Sequence, residues 1–259
     1  MEVQHFALAD LQAFVICLVR IGALVAALPL FGSAQVPAQV RLGLAFLLAL
    51  LVFPLVQSTL PAQDLPLVGL GMLLVQEVLL GALVGLIARL VFTAVQMGGA
   101  VVGYQMGFAA ANIFDPQTQS QNSLISQFQH TLALLVFLAL DAHYLIIEAM
   151  VRSFQWLPPG QLNLGGEAVP FLMGLAGRMF SLGVQLSAPI LAVLLISSFI
   201  LGILARIFPQ LNVLLLSFPI NIGVAFLVIG LTLSLVATLL SREFGAWEEH
   251  LGQLFLYLG

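Results

Sequence analysis

Long apolar runs, interrupted by proline and by small polar clusters, set the pattern of this chain. A bilayer span takes roughly 20 apolar residues, and stretches of that kind predict helices at about 11–31, 40–60, 66–94, 95–112, 125–152, 171–206 and 211–240. Only Gln96 separates the third run from the fourth, so they read as one long bent helix or two packed ones, giving six or seven spans. Pro37 follows the first helix, Pro61 and Pro66 bracket a short turn, and Pro158-Pro159-Gly160 opens a loop ending near Pro170. Proline ends a helix because it lacks an N–H and clashes with the preceding turn. Pro29, Pro54, Pro189 and Pro219 stand inside apolar runs, where they predict kinks whose freed carbonyls neighbouring protein must satisfy. In the last segment, REFGAWEEHLGQLFLYLG, Phe244, Trp247, Leu251, Leu254 and Leu258 recur in steps of three and four. That spacing predicts an amphipathic helix over about 242–258, lying at a membrane interface, on a partner, or folded back on its own bundle.

Composition sharpens the picture. Of the 259 residues, 61% are hydrophobic and 7% charged, against about 25% charged in soluble domains, and mean hydropathy is +1.15. The chain reads as one all-α integral membrane domain over residues 1–259, with lipid as its main solvent. The seven positive charges are Arg20, Arg41, Arg89, Arg152, Arg178, Arg206 and Arg242, and the net charge is −4. Without a basic cluster, nucleic-acid binding has no electrostatic footing. Cys17 is the only cysteine, so no internal disulfide or thiolate metal site is expected. The acidic start MEVQHFALAD and Arg20 within the first apolar run predict that this run is not a cleaved signal peptide. With the N-terminus outside, Arg41, Arg89 and Arg152 fall inside and Asp64 and Asp115 outside, while Arg206 breaks the positive-inside pattern.

Two groups of residues carry the candidate chemistry. Arg20 lies deep in the first apolar run, and Glu77, after Gln76, about one-third into the third. Charges at such depth face a partner or a wet cavity, so Arg20 and Glu77 are candidates for an ion pair. A second set is glycine: Gly81 and Gly85, then Gly99, Gly103 and Gly107 in QMGGAVVGYQMGFAAANIFD. At intervals of four they leave one helix face without side chains, where another backbone can come close. The segment ends in Asp115-Pro116 and a polar tract, QTQSQNSLISQFQH. Enzyme chemistry finds no zinc, P-loop or serine-nucleophile spacing, and no cofactor or metal site is expected. A second reading, a stand-alone proton-coupled secondary transporter, would use Glu77, Asp141, His143 and Glu148 as its relay.

Four landmarks in order resemble the FliR/SctT family of flagellar and type III secretion export gates. They are Arg20 and Pro29 followed by VPAQVRLGLA, then VQEVLLGALVG, then the Gly99–Asp115 segment with Pro116, and last RIFPQLN, with Arg206, Pro209, Gln210 and Asn212, before Phe218-Pro219. The resemblance spans essentially the whole chain. It implies a non-enzymatic protein of helical hairpins that assembles with FliP-like and FliQ-like subunits, joined by an FlhB-like protein, into a helical hetero-oligomeric export gate. Such a gate sits in the bacterial inner membrane within the flagellar basal body and passes unfolded subunits. Its hairpins stand partly above the ordinary membrane plane, which would release Arg206 from the positive-inside pattern. The resemblance also implies that Phe108, Asn112, Ile113, Phe114, Asp115 and Pro116 form a pore plug, that Gly81, Gly85, Gly99, Gly103 and Gly107 serve packing and assembly, and that Arg20, Gln76, Glu77, Arg206, Pro209 and Gln210 are buried polar or structural positions. Ala109, Ala110 and Ala111 depart from what a tight seal would need.

Overall fold

Helix dominates wherever the computed structural model describes the chain, which is at residues 2–29, 36–61, 65–107, 124–163, 165–210 and 212–259. The elements are α1 (Glu2–Ala27), α2 (Ala38–Val56) with a 3-10 turn at Gln57–Thr59, α3 (Leu67–Gln105), α4 (Leu124–Ala139), α5 (Ala142–Trp156), α6 (Ala168–Ile207), α7 (Val213–Gly245) and α8 (Trp247–Leu258). No strand occurs among the described residues. Five stretches are long and apolar enough to cross a membrane, and α4 with α5 adds a sixth if that broken pair counts as one span.

One open alternative is settled, and two boundaries differ from the sequence expectation. The third and fourth runs are one 39-residue helix, α3, because a single glutamine removes no backbone donor and cannot stop a helix. The run at 125–152 is two helices, since Asp141 adopts φ 53° and ψ 23°, in the left-handed region. A short polar side chain tolerates that conformation better than most. Pro29 lies beyond the end of α1 and is not an interior proline, whereas Pro54, Pro189 and Pro219 are inside α2, α6 and α7. Pro170 falls in the first turn of α6, where its missing N–H has no intrahelical partner to lose.

The described residues group into two compact units. The first comprises the chain up to Leu90, Asp141–Leu175 and Gly245–Gly259. On α1, Ala13, Ile16, Cys17, Arg20, Ile21 and Leu24 are buried, a three-and-four repeat that defines one face. Helix α2 runs antiparallel to α1, with Phe53 edge-on to Phe14 at 5.6 Å and Ala45 beside Gly22. The amphipathic helices α5 and α8 pack on each other through Trp156 and Phe255, with ring centroids 5.7 Å apart, and through Arg152 and Glu248 at 3.5 Å. The backbone N–H of Asn163 donates to Leu258 O at 2.8 Å. Of the three places open to the C-terminal helix, it takes the one on its own unit, burying Trp247, Leu251, Leu254, Phe255 and Leu258.

The second unit contains Val91–Leu140 and Ala176–Phe244. Its core joins Val102 and Met106 of the α3 end, Ile125 of α4, Ile190 and Leu194 of α6, and Ala225, Val228 and Ile229 of α7. Phe92, Phe137 and Phe244 cluster with ring centroids 5.6–5.8 Å apart, Phe137 edge-on to the other two. Ser197 donates a hydrogen bond to Asn221 Oδ1 at 2.8 Å, linking α6 to α7. Much of the apolar surface of α6 and α7 stays uncovered: in their most apolar windows only 17% and 11% of residues are buried. Lipid or another protein must cover the remainder.

Candidate functional site

The most elaborate polar site lies in the first unit, around Arg20. Arg20 and Glu77 are each 1% exposed, and both belong to the buried faces of their helices. The guanidinium grips the carboxylate with two bonds: Nε donates to Oε2, and Nη2 donates to Oε1 at 2.9 Å. Its other edge turns to α5. Nη1 donates to Ser153 Oγ at 3.2 Å, and both Nη1 and Nη2 donate to Leu157 O at 3.2 Å. The Phe154 ring lies 4.1 Å from the guanidinium carbon, close enough for a cation–π contact. Burying a charge at this depth requires such pairing, because solvation lost in a low-dielectric interior is not recovered otherwise.

Glycine makes the pair possible. A Cβ on Gly81, one turn beyond Glu77, would sit 2.5 Å from Arg20 O and 2.8 Å from Ala23 Cβ, and one on Gly85 would overlap Ala27 Cβ. Any larger residue would push α3 off α1 and pull the carboxylate from the guanidinium. A second close approach lies in the other unit. A Cβ on Gly98 would fall 2.8 Å from Gly183 O, and one on Gly99 would fall 2.7 Å from Ser126 Cα and 2.9 Å from Gln129 Oε1. There Ser126 Oγ donates to Gln96 O at 2.9 Å, and Gln96 Nε2 lies 3.1 Å from His130 Nδ1.

Gly81, Gly85 and Gly99 therefore pack against other helices of their own units. Gly103 is buried on the same α3 face. Gly107 does not continue the strip: α3 ends at Gln105, and Gly107, at φ 93°, turns the chain out of the helix. A Cβ there would also meet the Phe218 ring at 2.5 Å. Arg206, Pro209 and Gln210, expected as buried polar or structural positions, are exposed in the single chain: Arg206 lies in the last turn of α6, and Pro209 and Gln210 in the turn that follows it. Gln76 is half-buried, and its Oε1 is enclosed without a hydrogen-bond partner among the described residues. Asp141 and Glu148 are exposed and His143 is half-buried. No group of His, Cys, Asp and Glu fit to hold a metal occurs among the described residues. Phe108, Asn112, Ile113, Phe114, Asp115 and Pro116 lie outside the described residues.

Sequence reasoning found Arg20 and Glu77 as charges out of place in apolar runs, but missed Ser153, Phe154 and the Leu157 carbonyl. A serine or a backbone carbonyl carries no such signal. The one available cue was Pro158-Pro159, which removes two backbone donors from the end of α5.

Comparison with known proteins agrees with this helical membrane architecture. Residues 11–247 match the family described as bacterial export proteins, family 1. The chain is 36% identical over 250 residues to the flagellar biosynthetic protein FliR of Bacillus subtilis (strain 168), covering 95% of this chain and 96% of that one. It is 34% identical over 220 residues to FliR of Pectobacterium carotovorum subsp. carotovorum, covering 84% and 83%. FliR of Escherichia coli (strain K12) is 31% identical over 222 residues, covering 85% and 84%. The chain belongs to the bacterial export proteins, family 1, together with these FliR proteins.

Proposed function

We propose that this protein is a structural pore and gate subunit of the flagellar protein-export apparatus. With FliP-like and FliQ-like subunits and an FlhB-like protein it completes, in the bacterial inner membrane at the basal body, the portal for unfolded flagellar subunits. The observation that carries the reading is membership of the export family over residues 11–247, with relatives named flagellar biosynthetic proteins. The open apolar faces of α6 and α7 support it. So does helix length. At 1.5 Å per residue α3 and α6, with 39 and 40 residues, run to about 60 Å. The hydrocarbon core is about 30 Å thick and even a tilt of about 40° accommodates only about 40 Å. Some 20 Å of each helix therefore extends beyond hydrocarbon, where exposed leucine and isoleucine call for protein partners.

Phe108, Asn112, Ile113, Phe114 and the Asp115-Pro116 turn form the resting plug in this reading. Apolar groups at a constriction exclude water and ions by dewetting. Ala109, Ala110 and Ala111 fill little space, so partner side chains supply the rest of the seal. Replacing Phe108, Ile113 and Phe114 together by glycine should leave assembly intact and make cells leak small ions, read as a fall in membrane potential. Wild-type ion tightness would remove the plug assignment. The transporter reading finds less support. Both carboxylate oxygens of Glu77 are engaged by Arg20, whereas a relay carboxylate must exchange its proton with water or a neighbour.

A further inference from the structure

We propose that Arg20 is a two-edged latch: it holds the carboxyl end of α5, and with it the α5–α8 pair, onto α1 and α3, while Glu77 sets the latch. A guanidinium has five N–H donors in a rigid planar fork. One edge of Arg20 is spent on Glu77, and the other reaches Ser153 Oγ and Leu157 O. The end of α5 needs those donors. Leu157 N closes the last turn on Ser153 O at 2.9 Å. Pro158 and Pro159 follow and have no N–H to offer. Leu157 is 1% exposed, so without Arg20 its carbonyl would be a buried acceptor with nothing to accept, a costly state. A positive charge at a helix C-terminus also complements the helix dipole.

The same turn carries α8. Trp156 packs on Phe255, Asn163 N donates to Leu258 O, and the Leu157 side chain lies 3.3 Å from where a Cβ on Gly259 would be. Among the described residues, Arg20 is a polar tie from this pair to α1 and α3. Glu77 keeps the guanidinium in place: with the carboxylate neutralised, the buried charge has no counter-ion and turns out of the site, taking the donors of Leu157 with it. The latch can thus open without unfolding α1 against α3, whose packing rests on Gly81 and Gly85.

Hydrogen–deuterium exchange on the purified full-length protein in mild detergent tests this. Glu77→Gln should raise amide exchange of 150–157 and 247–258 by about tenfold or more, with peptides of α4 and α7 at wild-type rates. The double variant R20L/E77L, which leaves no buried charge, should keep α1 and α3 protected and still expose those two segments. Wild-type exchange of 150–157 in R20L/E77L would overturn the latch, and so would a uniform rise along the whole chain. Should Glu77→Gln not fold, Ser153→Ala removes one acceptor from the latch and should raise exchange of 150–157 alone by about threefold. No change there would equally overturn it.

Discussion

Arg20 stands where a charge is least welcome, and its surroundings explain why it is tolerated. Removing one partner of a buried, hydrogen-bonded pair is expected to be far worse than removing both, because a single deletion strands a charge. Arg20→Leu and Glu77→Leu should each destabilise the detergent-purified protein by about 3–5 kcal/mol, and R20L/E77L should recover most of that loss. Thermal unfolding of the three variants decides the point, and a double variant no better than the singles would contradict a charge-pair origin. Glycines split in the same way. Gly107→Ala should lower stability by about 1 kcal/mol from its left-handed φ, with a further loss from the clash with Phe218. Gly174→Ala and Gly177→Ala, where a Cβ would meet nothing within 4 Å, should be neutral or slightly stabilising. At this scale the sequence was legible wherever a residue was anomalous for its surroundings, as Arg20, Glu77 and the spaced glycines are. It was silent about Ser153 and Leu157, whose role arises from what the fold brings to them.

At the scale of elements, apolar runs and prolines placed most helices correctly, since length and hydropathy are local properties. The break at Asp141 was not legible. FLALDAHYLI reads as continuous helix, and one left-handed residue leaves no periodic trace. Nor could periodicity show that Gly81 and Gly85 face α1 while Gly98 and Gly99 serve the other unit, because all lie on one helix. Gly81→Leu should prevent α1 and α3 from meeting. Its effect should therefore exceed that of either charge deletion, with little folded protein recovered from membranes, whereas Gly43→Leu on the open face of α2 should be recovered normally. The C-terminal helix gives a separate check. Leu254 is fully buried, so Leu254→Ala should reduce stability by about 2–5 kcal/mol through the cavity it leaves. A wild-type melting temperature would mean that α8 docks elsewhere in solution.

Across the whole molecule, the surface left open is as informative as the core. Exposed residues such as Leu195, Ile196, Phe199 and Ile200 on α6, and Leu227 and Leu231 on α7, belong to helices about twice as long as some membrane spans require. Composition alone announced a membrane protein, and four ordered landmarks announced the export family. Neither could reveal that the chain folds into two compact units, because that division depends on contacts between distant segments. In the proposed function those open faces belong to an export gate and not to a solitary transporter. Co-expression with FliP-like and FliQ-like subunits, followed by purification through a tag on this chain in mild detergent, tests it most directly. The expected outcome is a stable complex in fixed stoichiometry that survives size-exclusion chromatography. A monodisperse single chain, leaving both partners behind, would contradict it.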